Sequence, residues 1–374
     1  MATEVINLEN TIDYGDHPRR AGAIIRNGGL VGFPTETVYG VASRGDDPAA
    51  VRRLREVKQR AESKPFTVHI ADPGQADDYV PDWSAVGRRL ARKAWPGPVT
   101  LVVQVNDPGQ TVFAQRCGAA GVDLLYHGGA VGLRCPLDPI AAEFLRAARV
   151  PVVAASANRA GEPPARTADG VLRAFDGKLD LVLDGGQSLY SKPSTVVRIE
   201  GEGYRILREG VIAARTLDSY AAATLLFVCS GNTCRSPMAA ALARQALARR
   251  MNCTEAQLED RRVAVVSAGL AATDGAPPSH GAVSAMTKHG LDVTGHRSRR
   301  LDDALVRSAD YVFCMTRAQR DMVIGNHAID PTRVLTLIDD EDINDPFGGD
   351  VSTYQHCAER IAAGVHQRVS ELTL

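Results

Sequence analysis

Four apolar residues, Leu225-Leu226-Phe227-Val228, run directly into Cys229-Ser230-Gly231-Asn232-Thr233-Cys234-Arg235-Ser236-Pro237. No other stretch narrows the folding choices of this chain as far. A short, unbroken apolar run reads as a strand buried on both faces, the mark of a parallel sheet. Pro237 opens a helix, because its fixed φ suits a first turn. The five residues between Cys229 and Arg235 therefore form a tight loop from a strand to a helix N-terminus. Such a loop can wrap backbone N–H groups around an oxyanion at the positive end of the helix. Arg235 can close that ring with a two-pronged contact to phosphate oxygens. The same ring favours the thiolate of Cys229, which can attack phosphorus and give a phosphocysteine. Ser236 can hydrogen-bond that thiolate.

Beyond this loop, strand and helix patterns alternate: a helix over Pro237–Arg250, then Val263–Ser267, Ser279–Gly290, Leu301–Ser308, Tyr311–Met315, Arg317–Ile324, Val334–Leu337 and a terminal helix over Ser352–Leu372. That alternation predicts an α/β unit with a doubly wound parallel sheet over residues 224–374. Residues 1–212 form another unit, with strands at Gly29–Phe33, Pro65–Ile70, Val99–Val105, Val150–Ala155 and Ser194–Ile199 and helices at Pro48–Lys58 and Ile140–Ala148. The alanine-rich stretch 213–223 lacks a core pattern and is expected to be a linker.

Bulk properties exclude some classes. A net charge of -1 gives no overall pull toward nucleic acid or anionic membrane. No run reaches the ~18 consecutive apolar residues of a membrane span. Met1 to Asp16 carries Glu4, Glu9 and Asp13 and has no apolar core of a signal peptide. The seven scattered cysteines fit a reducing, cytoplasmic setting, and none has zinc-site spacing.

The rear segment resembles the low-molecular-weight protein tyrosine phosphatases. The matching pieces are Val228-Cys229 through Met238, Ser267-Ala268-Gly269, Gly290 with His296, Ala309-Asp310 before Met315-Thr316, and Asp345-Pro346. The resemblance implies Cys229 as nucleophile, Arg235 as phosphate clamp and Asp345 as general acid. Asp345 taken alone reads as part of a solvated acidic turn. Ser230, Gly231, Asn232, Thr233, Cys234 and Ser236 would complete the phosphate loop, with Cys234 able to trap oxidised Cys229 as a disulfide. Tyrosine-specific relatives carry a large aliphatic residue where this chain has Thr233, and paired aromatics where it has Phe347-Gly348-Gly349 with Tyr354 shortly after. That combination resembles the protein arginine phosphatase branch. A planar, cationic guanidinium suits a small polar wall and a carboxylate. Phosphoarginine in a protein is the expected substrate and phosphotyrosine the alternative.

In the front unit, Pro34-Thr35-Glu36-Thr37-Val38-Tyr39-Gly40 follows a strand. Lys58-Gln59-Arg60, Lys64-Pro65-Phe66, Val68-His69-Ile70, Gly132-Leu133-Arg134, Ser156-Ala157-Asn158, Ser194-Thr195 and Leu207-Arg208 come after it. By themselves these basic and hydroxyl residues point to an anionic ligand such as a nucleotide, and no further. Their order resembles the YrdC-type threonylcarbamoyl-AMP synthases over about residues 15–212, which implies a twisted mixed sheet with helices. It also implies synthesis of threonylcarbamoyl-AMP from L-threonine, bicarbonate and ATP for tRNA t6A modification. Mg²⁺ would arrive with ATP, with no tightly bound cofactor or metal site, and the t6A transfer machinery would be the partner. Lys58, Arg60, Ser156, Asn158, Ser194 and Arg208 would bind the nucleotide. Thr35, Tyr39, Lys64, His69 and Arg134 would line the threonine and bicarbonate region, with Arg134 also near the adenylate phosphates. Two departures stand out: Gln59 and Ala61 replace the Gly and Pro of a Lys-Gly-Arg-Pro pattern, and the connection Phe113–Gly129 is long. The competing reading is a front unit that only binds nucleotide or RNA, ahead of a phosphotyrosine phosphatase.

Overall fold

The computed structural model describes residues 2–11, 13–190, 192–339 and 341–372. They divide into two compact units, Met1–Leu217 and Asp218–Leu374. The front unit runs β1 (Glu4–Asn7), α1 (His17–Arg26), β2 (Val31–Phe33), β3 (Gly40–Arg44), α2 (Pro48–Lys58), β4 (Thr67–His69), α3 (Ala85–Ala94), β5 (Val99–Gln104), α4 (Val112–Leu125), β6 (Ala130–Arg134), α5 (Pro139–Ala148), β7 (Val152–Ser156), α6 (Ala168–Phe175), β8 (Leu181–Asp184), β9 (Thr195–Glu200) and β10 (Gly203–Arg208). Its ten strands form one mixed sheet in the order β1-β8-β2-β3-β7-β4-β6-β5-β9-β10. The five strands and two helices expected here all form, with ends shifted by no more than two residues. Asp47, Ser84, Thr111, Asp138 and Thr167 cap helices by accepting first-turn N–H groups. The long connection is helix α4, whose Phe113 packs between Tyr79 and Tyr126. Gln59 ends α2 in the left-handed region at φ 49°, the conformation that the missing glycine would adopt most easily.

The stretch expected as a linker is helix α7 (Ala214–Ala221), and the boundary between units falls inside it. Alanine and leucine favour helix, and residues 213–223 hold no glycine or proline to break it. Leu217 and Ala221 are fully buried.

The rear unit continues with β11 (Ala223–Cys229), α8 (Arg235–Arg250), β12 (Val263–Gly269), α9 (His280–Lys288), α10 (Asp303–Ser308), β13 (Tyr311–Cys314), α11 (Arg317–Asn326), β14 (Val334–Thr336) and α12 (Val351–Glu371). Four strands lie in the order β12-β11-β13-β14, all parallel. Side chains of β11 alternate between two cores. Leu225, Phe227 and Cys229 join the α8, α9 and α12 side, whereas Leu226 and Val228 face the side holding Val306 and Val323. Both faces are thus covered, as the unbroken apolar run requires. The helix opens at Arg235, two residues before the expected Pro237. Proline is tolerated there because first-turn N–H groups have no intrahelical acceptor.

Close helix packing in the front unit gives a direct test. A Cβ on Gly22 of α1 would stand 2.7 Å from the Ala147 carbonyl carbon and oxygen and 2.9 Å from Ala148 N on α5. Alanine's helix propensity favours Gly22→Ala by up to ~1 kcal/mol, but backbone atoms cannot step aside, and overpacking costs about 1–3 kcal/mol. Gly22→Ala is expected to lower the denaturation midpoint. Tryptophan fluorescence reads it cleanly, since Trp83 and Trp95 both lie in the front unit; an unchanged or raised midpoint would refute the packing argument.

Candidate active sites

In the rear unit, Cys229 ends β11 at the carboxyl edge of the parallel sheet, where such folds bind ligands. Its Sγ accepts a hydrogen bond from Asn232 N–H at 3.2 Å and lies 3.0 Å from Ser236 Oγ. Asn232 makes this turn possible. It is fully buried and takes φ 53°, a region asparagine enters more readily than most residues. Its side-chain nitrogen donates to Ser236 Oγ at 2.8 Å and Ser267 Oγ at 2.9 Å, and its side-chain oxygen accepts from Arg299 N–H at 2.9 Å. His296 Nε2 donates to the Asn232 carbonyl at 2.7 Å. A Cβ on Gly269 would collide with the Ser230 carbonyl oxygen and Asn232 N, so this glycine lets strand and loop touch. Thr233 holds its place through its carbonyl, which accepts from Ser279 N–H at 2.9 Å.

Arg235 is buried at the start of α8, a helix capped by no side chain. One guanidinium nitrogen donates to the Ile343 carbonyl at 2.9 Å, and the other pairs with Asp345. Its Nε is buried and has no partner. Asp345 is half-exposed, so the clamp and the proposed acid meet at the mouth. Cys234 donates from Sγ to Ser279 Oγ at 3.2 Å and sits 3.5 Å from Tyr354 Oη. Tyr354 is therefore buried beneath the loop, while Phe347 is 75% exposed. Arg235 and Asp345 thus meet as an ion pair, and Cys229, at the other end of the same loop, is held by Asn232 and Ser236.

In the front unit, a cavity of about 520 Å³ is lined by nine of the eleven expected residues: Thr35, Tyr39, Arg60, Lys64, His69, Arg134, Ser156, Ser194 and Arg208. Lys58 and Asn158 do not line it. Lys58, buried at the end of α2, donates to the carbonyls of Ser156 and Asn158 and so supports the loop from beneath. Ser156 Oγ donates to Asn158 Oδ1 at 2.6 Å. Tyr39 places its ring at the cavity, but its hydroxyl is committed to the Gly186 carbonyl at 2.7 Å and Asp184 at 3.1 Å.

The electrostatics of this cavity point to an anion. Burial and then Arg60 bring the Lys58 ammonium down to about 8. Burial, Arg55 and Arg208 lower Arg60, while burial and Arg134 lower Arg208. These cations thus repel one another in sequence, a state that a polyphosphate would relieve. His69, held down to about 3 by burial and then Arg134, is neutral at working pH. Its Nδ1 donates to the Thr67 carbonyl at 3.0 Å, leaving Nε2 as an acceptor. Arg208 donates to Ser194 at its carbonyl, 2.8 Å, and its hydroxyl, 3.1 Å. Arg134 donates to Thr37 Oγ1 at 2.6 Å and pairs with buried Glu36 at 3.0 Å. Its Nε, like that of Arg235, is a buried donor without a partner. In both units the guanidinium assigned to an oxyanion retains an unused N–H, which buried groups rarely do.

Several contributors carried no role in the sequence reading. Glu36 lies inside the quoted Thr-Glu-Thr run, and its pairing with Arg134 needs β6 brought beside the loop after β2. Ser267 and His296 were quoted only as matching pieces. Gln319 gave no signal, since a polar residue in a first helical turn is unremarkable. Its Nε2 donates to Ser230 Oγ at 3.1 Å.

Comparison with known proteins gives a family match for each unit. The Sua5, YciO and YrdC family model, described as Telomere recombination, matches residues 23–210. The model described as Low molecular weight phosphotyrosine protein phosphatase matches residues 224–373. A threonylcarbamoyl-AMP synthase of Chromohalobacter salexigens is 35% identical over 184 residues, 49% of this chain and 93% of the relative. The chain spans only 58% and 55% of two longer synthases, from Pyrococcus abyssi and Bacillus subtilis. A solved Pyrococcus abyssi Sua5 variant superposes with TM-score 0.52 at 28% identity, covering 61% of this chain and 71% of that one. A YwlE arginine phosphatase structure aligns over 40% of this chain and 95% of its own at 30% identity and TM-score 0.36. The chain therefore belongs to the Sua5/YciO/YrdC family through its front unit, and its rear unit is similar to the low-molecular-weight phosphotyrosine protein phosphatases over residues 224–373.

Proposed function

We propose that the protein is a bifunctional enzyme. The front unit makes threonylcarbamoyl-AMP from L-threonine, bicarbonate and ATP, releasing pyrophosphate. The rear unit hydrolyses phosphoarginine in proteins. The observation that carries the first activity is the cavity of mutually repelling cations around Ser156 and Ser194, in a family whose relatives are named for this synthesis. Arg60 and Arg208 would neutralise the phosphates, Lys58 would hold the Ser156–Asn158 loop against the cavity, and catalysis would rest on positioning and charge, with neutral His69 and Thr35 beside the reacting carbons. Among the described residues no group of three or more His, Cys, Asp or Glu side chains gathers. Mg²⁺ would accompany ATP as part of the substrate. The product would pass to the enzymes that modify tRNA.

The second activity is carried by Cys229 Sγ held by Asn232 N–H and Ser236, with Arg235 tied to Asp345. Cys229 would attack phosphorus as the P–N bond breaks, with Asp345 giving its proton to the departing guanidine. Water, deprotonated by Asp345, would then cleave the S–P bond and release phosphate. The Thr233 wall and the Asp345 carboxylate, formed as its proton passes to the guanidine, support a leaving group that departs as a cation. Exposed Phe347 favours the second reading, phosphotyrosine, by offering one aromatic flank. Among the described residues no helix is long and apolar enough to cross a membrane.

Pyrophosphate release should require L-threonine, and Lys58→Ala and Arg60→Ala should each slow it by ~10-fold or more. Because Lys58 loses its proton above about 8, ATP affinity should fall about tenfold between pH 7 and 9, and this slope should vanish in Lys58→Ala. Calorimetric titration across that range reads both; full activity in both variants would remove the assignment. For the rear unit, Cys229→Ser should cut turnover by ~10³-fold or more. Phosphoarginine should beat phosphotyrosine in kcat/KM, and Thr233→Ile should shift that ratio by ~10-fold toward phosphotyrosine. A wild-type preference for phosphotyrosine would end the arginine reading.

A further inference from the structure

Gln319 stands at the centre of an unbroken run of hydrogen bonds that joins the two halves of the phosphatase site. It lies in the first turn of α11, is only 6% exposed, and its own N–H bonds to the Thr316 side chain. Its amide orientation is fixed by chemistry. The Met315 N–H can only donate, so Oε1 faces it at 3.1 Å, and Nε2 is left to donate to Ser230 Oγ at 3.1 Å. The run continues on the other side. Ile343 N–H donates to the Met315 carbonyl at 2.8 Å, and the Ile343 carbonyl accepts from Arg235 at 2.9 Å. Arg235 then pairs with Asp345, two residues beyond Ile343.

We propose that Gln319 is a positioning residue of the phosphatase reaction, holding the loop after Cys229 and the loop bearing Asp345 at one fixed spacing. This rests on the phosphatase reading of the rear unit. Two consequences follow from the geometry. Ser230, which accepts from Gln319, keeps its own proton free to donate toward a phosphoryl oxygen. Asp345 is kept at the distance a departing group needs, because its loop is anchored through Met315 to the same amide. A side chain that touches neither substrate nor nucleophile can thus control proton delivery, which is sensitive to displacements of the order of an ångström.

Aryl phosphates with good and poor leaving groups separate positioning from mere stability. Gln319→Leu is expected to lower kcat/KM ~10-fold for phenyl phosphate, whose leaving group needs the acid's proton. For p-nitrophenyl phosphate, which leaves readily without it, the loss should stay within about 2-fold. Gln319→Glu keeps an acceptor for the Met315 N–H but has no N–H for Ser230 Oγ, and should show the same contrast, so the test survives if Gln319→Leu fails to fold. Equal losses for both leaving groups, or wild-type behaviour of both variants, would overturn the proposal. Undiminished turnover in Cys229→Ser would instead overturn the phosphatase reading itself.

Discussion

A buried guanidinium whose Nε finds no protein partner recurs in both units. Arg235 is only 4% exposed; its two terminal nitrogens bond to Ile343 and Asp345 while Nε bonds to nothing. Arg134 turns one terminal nitrogen to Thr37 and Glu36 and likewise leaves Nε without a partner. Removing such a charge from water costs several kcal/mol unless other charges or dipoles replace the lost hydration. The fold supplies part of that replacement with Asp345 in one unit and Glu36 in the other. The remainder is left open on the side where an oxyanion fits, so the ligand completes an electrostatic structure the protein leaves unfinished.

The two units spend that charge differently. The rear one concentrates it on a single thiol, with a short loop wrapped between strand and helix and a carboxylate at the rim. The front one spreads it over side chains from α2, β6 and β10 and offers no nucleophile. Its neutral imidazole and hydroxyls suit a reaction in which substrates attack one another and the protein holds them still.

How much of this could be read in advance followed the distance along the chain. The nucleophile loop was legible because its chemistry is compressed into seven residues, Cys229 to Arg235, flanked by an unambiguous strand. Asp345 lies 110 residues from Arg235, and only family likeness gave it a role. The ties through Gln319 and Met315 left no mark in the sequence, since hydrogen bonds between distant loops have no periodicity. In the front unit, the cationic residues were visible one by one, but the sheet order β3-β7-β4-β6-β5-β9 that gathers them was not. Lys58 was expected among the ligand groups, but it holds the Ser156–Asn158 loop and does not line the cavity. The segment taken for a linker became α7 because a missing core pattern says nothing about helix propensity.

The separation between Arg235 and Asp345 also bears on how the rear unit is born. Synthesis proceeds from the amino end at roughly 5–20 residues per second, so Cys229 leaves the ribosome about 5–20 s ahead of the carboxylate that will face it. During that interval β13 and β14 are still being made and α12 does not yet exist, so Phe227 and Cys229 have no α12 to cover them. The Cys229 thiol is then a nascent-chain cysteine open to solvent, shielded only when α12 docks.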